Sequence, residues 1–265
     1  MKILIILLLM FSISFAKVYY AKVEPFELRA ISSNVSGLVL QADEDLIGTT
    51  LSSKPYIVID SEVDAKELKY VKDKLEYMRE IVKVNESVLE NLAKNLAKKR
   101  DNYEKVQSLK FKSSVEKDRE FSDLISSENL YLNTQKEINN LKIQITDTKL
   151  REVQLKRSIE DKNLKASSFV LYEMLVKPGQ VVGIATPLAK VADVSRAKLT
   201  IFLDEKDLLN AEQKTLYIDG KKTSYKISRL LNIADSKNIS KYMAQIILKS
   251  PKIFSKLVKV ELKDD

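Results

Sequence analysis

The 265-residue chain has no cysteine, no histidine and no tryptophan, and only five glycines and five prolines. Without cysteine there is no disulfide, no thiolate nucleophile and no lipid attachment through an N-terminal Cys. Losing histidine as well removes the usual zinc ligand sets and imidazole acid–base catalysis. So few glycines leave little room for a phosphate-cradling loop, and no nucleophile motif is present. Carboxylates are plentiful, but their spacing favours no paired Asp/Glu chemistry. The expectation is a protein without catalytic residues, cofactor or metal.

The few helix breakers are unevenly placed. None of the glycines or prolines lies between Tyr56 and Lys177, in a stretch rich in Lys, Glu, Leu and Asn. Such a run is helix or disorder, and periodicity decides. Leu68, Val71, Leu75, Met78, Val82, Asn85, Leu89, Leu92, Leu96, Lys99, Tyr103 and Val106 alternate three and four apart, and ten of these twelve are apolar or aromatic. A weaker seam of the same period runs Leu124, Ser127, Tyr131, Thr134, Ile138, Leu141, Ile145, Thr148, Glu152, Leu155 and Ile159. The frames differ across Lys112-Ser113-Ser114, so the helix break is expected at about Phe111 to Val115. The two arms, residues 61–111 and about 115–164, would each be roughly 75 Å long. They fit either an antiparallel hairpin or a parallel coil with a skip.

The flanks choose between these. Before the arms come Ser36-Gly37-Leu38-Val39-Leu40, the Gly48 turn and Tyr56-Ile57-Val58-Ile59-Asp60; after them come Phe169-Val170-Leu171, the Gly179 and Gly183 turns and Pro187-Leu188-Ala189-Lys190-Val191. Each flank is a set of short β-prone segments punctuated by glycine turns, too small to bury a core alone. Two such halves are stable only together, so the helices must go out and return. The hairpin is therefore antiparallel.

Charge and the N-terminus speak to location. Lys2, the apolar run Ile3–Phe11 and Ser14-Phe15-Ala16 form an export signal, either cleaved at Ala16 or kept as an anchor. Export argues against nucleic acid as a partner. Residues 164–265 carry 18 basic and 11 acidic groups, which is the chain's main positive excess. That segment is either an ordinary soluble basic surface or a face for anionic lipid or an acidic partner.

The order of these parts resembles the membrane fusion proteins, the HlyD-like periplasmic adaptors. Val176-Lys177-Pro178-Gly179-Gln180-Val181-Val182-Gly183-Ile184-Ala185-Thr186-Pro187-Leu188 is similar to that family's glycine-spaced segment, and Val191-Ala192-Asp193 leads on as the family does toward its barrel. The resemblance covers nearly the whole chain after Ala16. It implies an elongated α+β fold: a long antiparallel coiled-coil hairpin (61–164) inserted in a split lipoyl-like β-sandwich (32–60 and 165–195), then a small β-barrel (196–265) joined by N-terminal strands (17–31). It also implies a non-catalytic adaptor in the periplasm at the inner membrane, serving efflux or type I secretion. The partners would be an ABC or proton-driven inner-membrane transporter, a TolC-like outer-membrane channel, and further copies of the chain in a ring of six. The family's membrane-proximal domain is expected to be missing or minimal.

The family's tip signature, Arg-x3-Leu-x6-Ser, finds its nearest match in Lys105, Leu109 and Glu116. These are the candidate channel-binding residues. Lys105 lacks the planar fork of an arginine, and Glu116 stands where the family has a hydroxyl. Departures also occur in the flanks, where Glu44-Asp45 lacks the family's preceding glycine and Ala166-Ser167-Ser168-Phe169-Val170 lacks both breakers. In the terminal segment Thr215–Ile218 is expected to pair with Thr223–Leu231 across Asp219-Gly220-Lys221-Lys222. Two other functions fit parts of the pattern. An exported structural coiled coil or adhesin would explain the heptads but not the split β module. A biotinyl or lipoyl carrier would need a modifiable lysine where this chain has its helices.

Overall fold

The computed structural model describes residues 17–234, 238 and 240–264, so the expected export signal, residues 1–16, lies outside the described residues. Strands β1 (Val18–Lys22), β2 (Glu24–Ser32), β3 (Gly37–Ala42) and β4 (Ile57–Ile59) precede helices α1 (Glu62–Ser108) and α2 (Ser114–Lys162). Then follow β5 (Asn163–Leu164), β6 (Val170–Met174), β7 (Val181–Val182), β8 (Pro187–Asp204), the single turn α3 (Glu205–Leu208), β9 (Thr215–Ile218), β10 (Lys221–Lys222), β11 (Ile227–Ala234), β12 (Lys241–Lys249) and β13 (Leu257–Lys263).

The helices form a long hairpin, about 70 Å from root to tip. Every seam residue of both arms is at least partly shielded from solvent, with Leu75, Met78, Val82, Leu124, Ile138, Ile145 and Leu155 buried. Antiparallel alignment is marked by ion pairs between the arms. Asp64 meets Lys162 at 3.0 Å near the root, Glu86 meets Lys142 at 2.9 Å midway, and Lys99 meets Asp123 at 2.8 Å toward the tip. The break, Leu109 to Ser113, falls two residues earlier than the periodicity suggests. Leu109 already has extended backbone (φ −81°, ψ 116°), and Ser113 starts the second helix with a cap of its own.

At the hairpin root the two flanks build one core. Val39, Tyr56, Ile57 and Ile59 from the first pack with Leu171, Val176, Val182 and Leu188 from the second. The chains are also laddered: Ile57 opposite Leu164, and Gly37 and Leu38 opposite Val182 and Val181. Further backbone bonds run from Gly48 N–H to Leu171 O (2.8 Å) and from Leu51 N–H to Phe169 O (2.7 Å). β4 leads through Asp60, whose carboxylate accepts the Glu62 N–H at 2.9 Å, directly into α1, and α2 leads directly into β5. Because β4 and β5 pair, the roots of both helices are held at strand spacing.

A second β body uses both ends of the described chain. One sheet has the order β1-β13-β9-β10, the other β11-β12-β8-β2 with β6 also on β8. Leu199, Ile201, Leu203, Leu216, Ala244, Ile246 and Val260 fill the space between them. β8 runs for 18 residues and joins the two bodies: its first half pairs with β6 and β2, its second with β12. The pairing of the Asp-Gly hairpin differs from expectation. Asp219 (φ 49°) and Gly220 (φ 76°) close a two-residue turn, so Ile218 pairs with Lys221. Ile227–Ala234 instead pairs with β12 in the other sheet.

The turn glycines play unequal parts. Gly48 and Gly179 sit at φ +82° and +86°, where a side chain is strained. A Cβ on Gly37 would lie 2.7 Å from Ile59 Cγ2, a group with no exposed surface and nowhere to move. Gly183 meets no such obstacle. Gly37→Ala is therefore expected to lower the unfolding free energy by about 1–3 kcal/mol, and Gly183→Ala by no more than about 0.5 kcal/mol. Urea unfolding of the two variants side by side checks this, and equal midpoints would mean that Ile59 gives way.

Candidate functional site at the hairpin tip

Lys105, Leu109 and Glu116 all lie at the distal end of the hairpin. Lys105 is in the last turn of α1, and its ammonium pairs with Asp101 one turn back at 2.5 Å. Leu109 follows the helix end, half-buried, with its N–H donated to Val106 O at 3.2 Å. Glu116 is in the first turn of α2. Its carboxylate accepts the Lys112 ammonium at 3.0 Å and the Ser113 N–H at 3.1 Å, while the Glu116 N–H is donated to the Ser113 hydroxyl at 3.2 Å. This is a capping box, which satisfies two of the otherwise unpaired donors of a helix start. The Lys112 ammonium and the Ser113 donors hold the Glu116 carboxyl below the usual carboxylate range. Among the described residues no hydrogen bond or ion pair joins any two of Lys105, Leu109 and Glu116.

The loop between the helices is tied from both sides. Lys117 donates to Gln107 O at 3.2 Å across the turn, and the Tyr103 and Phe121 rings meet at 5.7 Å just beneath it. What the tip presents outward is a different pair, Phe111 and Val115, at 79% and 74% exposure. Neither was among the candidates. The available signal is that both are large apolar residues placed off the heptad frame inside a polar break, where no seam can bury them. Lys110 and Lys112 flank Phe111, so the tip is an apolar knob set in positive charge.

Farther down, each arm carries a second, exposed apolar stripe. On α1 it comprises Tyr70, Tyr77, Ile81, Val84 and Val88; on α2, Ile143, Leu150 and Val153. Ile81 and Val88 repeat the heptad position of Glu67, whose 2.7 Å pair with Arg151 closes one edge of the hairpin. Ile143 and Leu150 each follow a lysine, Lys142 and Lys149, of the heptad position that lies along the other edge, where Glu86 meets Lys142. The contact of Thr148 with the Met78 sulfur (4.0 Å) sets both stripes at the same height. The hairpin thus has two sticky edges at one level, facing apart.

Among the described residues no cluster of carboxylates could hold a metal ion, and no helix is long and apolar enough to cross a membrane. No family model matches the sequence, and no curated protein does. Solved structures do. MacA from Actinobacillus actinomycetemcomitans superposes with a TM-score of 0.71 at 16% identity, covering 94% of this chain and 79% of that one. The membrane fusion protein Spr0693 from Streptococcus pneumoniae R6 gives 0.57 at 10% identity, over 94% of this chain and all of that one (100%). A MacA-MexA chimera containing the Pseudomonas aeruginosa MexA α-hairpin domain gives 0.51 at 13%, over 93% and 80%. The fold of this chain is that of the membrane fusion proteins.

The capping box makes a local prediction. Ser113→Ala is expected to cost about 1 kcal/mol and to fray only the start of α2. Amide exchange of residues 114–117 should quicken severalfold while amides around Ile138 keep their protection. Unchanged exchange at the tip would remove the capping box from the account.

Proposed function

We propose that this chain is a non-catalytic periplasmic adaptor, linking an inner-membrane transporter of ABC or proton-driven type to a TolC-like outer-membrane channel in efflux or type I secretion. The observation that carries this reading is the hairpin itself. A capped, stapled tip with exposed Phe111 and Val115 is held about 70 Å from a β root, and the chain has neither histidine nor cysteine to supply bond chemistry. In this reading the joined flanks, 32–60 and 165–195, are a lipoyl-like sandwich split by the hairpin (61–164). The body built from 17–31 and 196–265 is the β-barrel, and residues 1–16 are the export signal. The shared core of the flanks and the two-sheet packing around Leu199 and Val260 support these assignments.

The tip would meet the channel through Phe111 and Leu109, with Lys105 and the lysines of the loop contributing charge. Glu116 acts in this scheme by starting α2. A photo-activated cross-linker at Phe111 or Leu109, in cells, should capture an outer-membrane channel protein. Recovery of inner-membrane or cytoplasmic proteins alone would sink the tip assignment and favour an exported structural coiled coil.

The ring of copies, six by resemblance, finds support in the two stripes. Opposite edges at one height let α1 of one copy lie against α2 of the next, a head-to-tail contact of the kind that closes into rings. Charge agrees in part: Asp73 and Glu80 border the α1 stripe and Lys149 borders that of α2, while Lys142 pairs with Glu86 of its own hairpin and Lys74 lies in line with Ile81. With no native cysteine to interfere, a chain carrying both Val84→Cys and Ile143→Cys should form disulfide-linked multimers on mild oxidation, while either single variant stops at dimer. A double variant that stays monomeric would remove this edge contact.

A further inference from the structure

We infer that the outer face of the β1–β13 ribbon is a lipid-contact surface for anionic headgroups. β1 and β13 alternate strictly. Tyr19, Ala21, Val258 and Val260 point into the core, which leaves Val18, Tyr20 and Lys22 on the outside of β1 and Leu257 and Lys259 on the outside of β13. The register sets Tyr20 opposite Lys259 and Lys22 opposite Leu257, so these two apolar side chains each have a lysine across from them, while Val18 lies opposite Glu261, whose carboxylate pairs with the Lys263 ammonium at 2.7 Å. Tyr20 and Leu257 are 60% and 63% exposed. Tyr217 extends the same face on β9, opposite Glu261, with the Lys263 ammonium 4.5 Å from its ring centre.

This face needs explaining. An ordinary soluble sheet exterior is polar, whereas this one interleaves tyrosine, leucine and valine with cations. Rings with an apolar body and a polar tip, beside lysines whose stems can lie along them, suit the boundary between headgroups and acyl chains. Among the described residues neither the Lys22 nor the Lys259 ammonium has an ion-pair partner, so both charges are available to phosphate. Such contacts contribute about 1 kcal/mol per lysine at an anionic surface.

Two further observations bear on the occupant: the first suits any anionic partner, and the second favours a bilayer over an acidic protein surface. The chain's positive excess is concentrated in residues 164–265, the segment that contains β13. And the apolar run Ile3–Phe11 ends only six residues before β1 begins. A chain of that length spans at most about 20 Å, so wherever that run occupies a bilayer, this face is held beside it.

The inference stands without the adaptor reading, because it concerns one face and one class of lipid. Among the described residues every buried core residue lies between Tyr19 and Leu262, so the chain from Lys17 retains that core and can be tested free of the apolar run. It should co-sediment with vesicles of equal parts phosphatidylglycerol and phosphatidylcholine, release at raised salt, and bind pure phosphatidylcholine vesicles weakly. Combined Lys22→Glu and Lys259→Glu should weaken binding on the order of tenfold or more, as should Tyr20→Ser with Leu257→Ser. All four residues are exposed, and an unchanged thermal transition would verify that each variant folds. Lys98→Glu, out on the hairpin, should leave binding as it was. No binding to the anionic vesicles, equal binding to both vesicle types, or variants that bind like the parent would each overturn the inference.

Discussion

The structure depends on a core that neither half of it can make alone. Val39, Ile57 and Ile59 come from one side of the hairpin, and Leu171, Val176 and Leu188 from the other, and all six have essentially no exposed surface. Each flank by itself is a few short strands with too little apolar area to offset the entropy of ordering them. Bringing the flanks together across about a hundred intervening residues would cost closure entropy, but that cost rises slowly with loop length. Here the loop is two stiff helices that fold back on each other, so the ends arrive close together. The hairpin and its root are therefore mutually required: the seam brings the flanks near, and the flanks set the spacing and register at which the seam begins.

That arrangement explains why the seam can be imperfect. α1 has a nearly continuous apolar stripe, but α2 places Ser127, Thr134, Thr148 and Glu152 against it, and Asn85 and Lys99 interrupt α1 itself. In a free coiled coil such layers cost stability and are retained for what they specify. Lys99 meets Asp123, and Asp64 takes both the Ser158 hydroxyl (2.6 Å) and the Lys162 ammonium, each of which fits only one alignment of the arms. With the root laddered and the tip capped, the middle has only to keep register. Burying more apolar surface there would add strength to a part already held at both ends.

Most of this was legible in local pattern, and the parts that were not have a common cause. Periodicity marked all the seam positions because each helix has a single face to bury. The flanks were readable as halves because glycine turns and β-branched runs are short-range signals. Strand partnership is different. Ile227–Ala234 has the same local character whether it folds back on Thr215–Ile218 or joins β12, and only the two-residue Asp219-Gly220 turn, with both residues at positive φ, decides against the wider hairpin. Likewise nothing in Pro187–Asp204 announces one strand serving two bodies. Glu116 carries a second pattern in the same few residues: Ser113-x-x-Glu116 is a plain helix-start signal, and it forms the capping box of α2. Phe111 and Val115 needed a negative inference, that no seam was left to cover them.

The distribution of exposed apolar surface follows from the same constraint. A two-helix rod has one seam, so any further apolar residue on it must face outward; such residues lie at the tip, on upper α2 at Phe121, Ile125, Leu130 and Leu132, and along two edges in the half nearer the root. The intervening upper part, where Asn91, Lys94, Asn95 and Lys98 replace the α1 stripe, is polar on that side. Contacts made by the lower edges would therefore hold the roots together while leaving the tips free to adjust. β8 carries the connection onward, since one continuous strand is laddered to the hairpin root at one end and to the terminal β body at the other. Displacing that body must shift the root or break the ladder, and the root in turn directs both helices. In a rod so coupled, laddered backbone hydrogen bonds run from the terminal β body to the root from which both helices start.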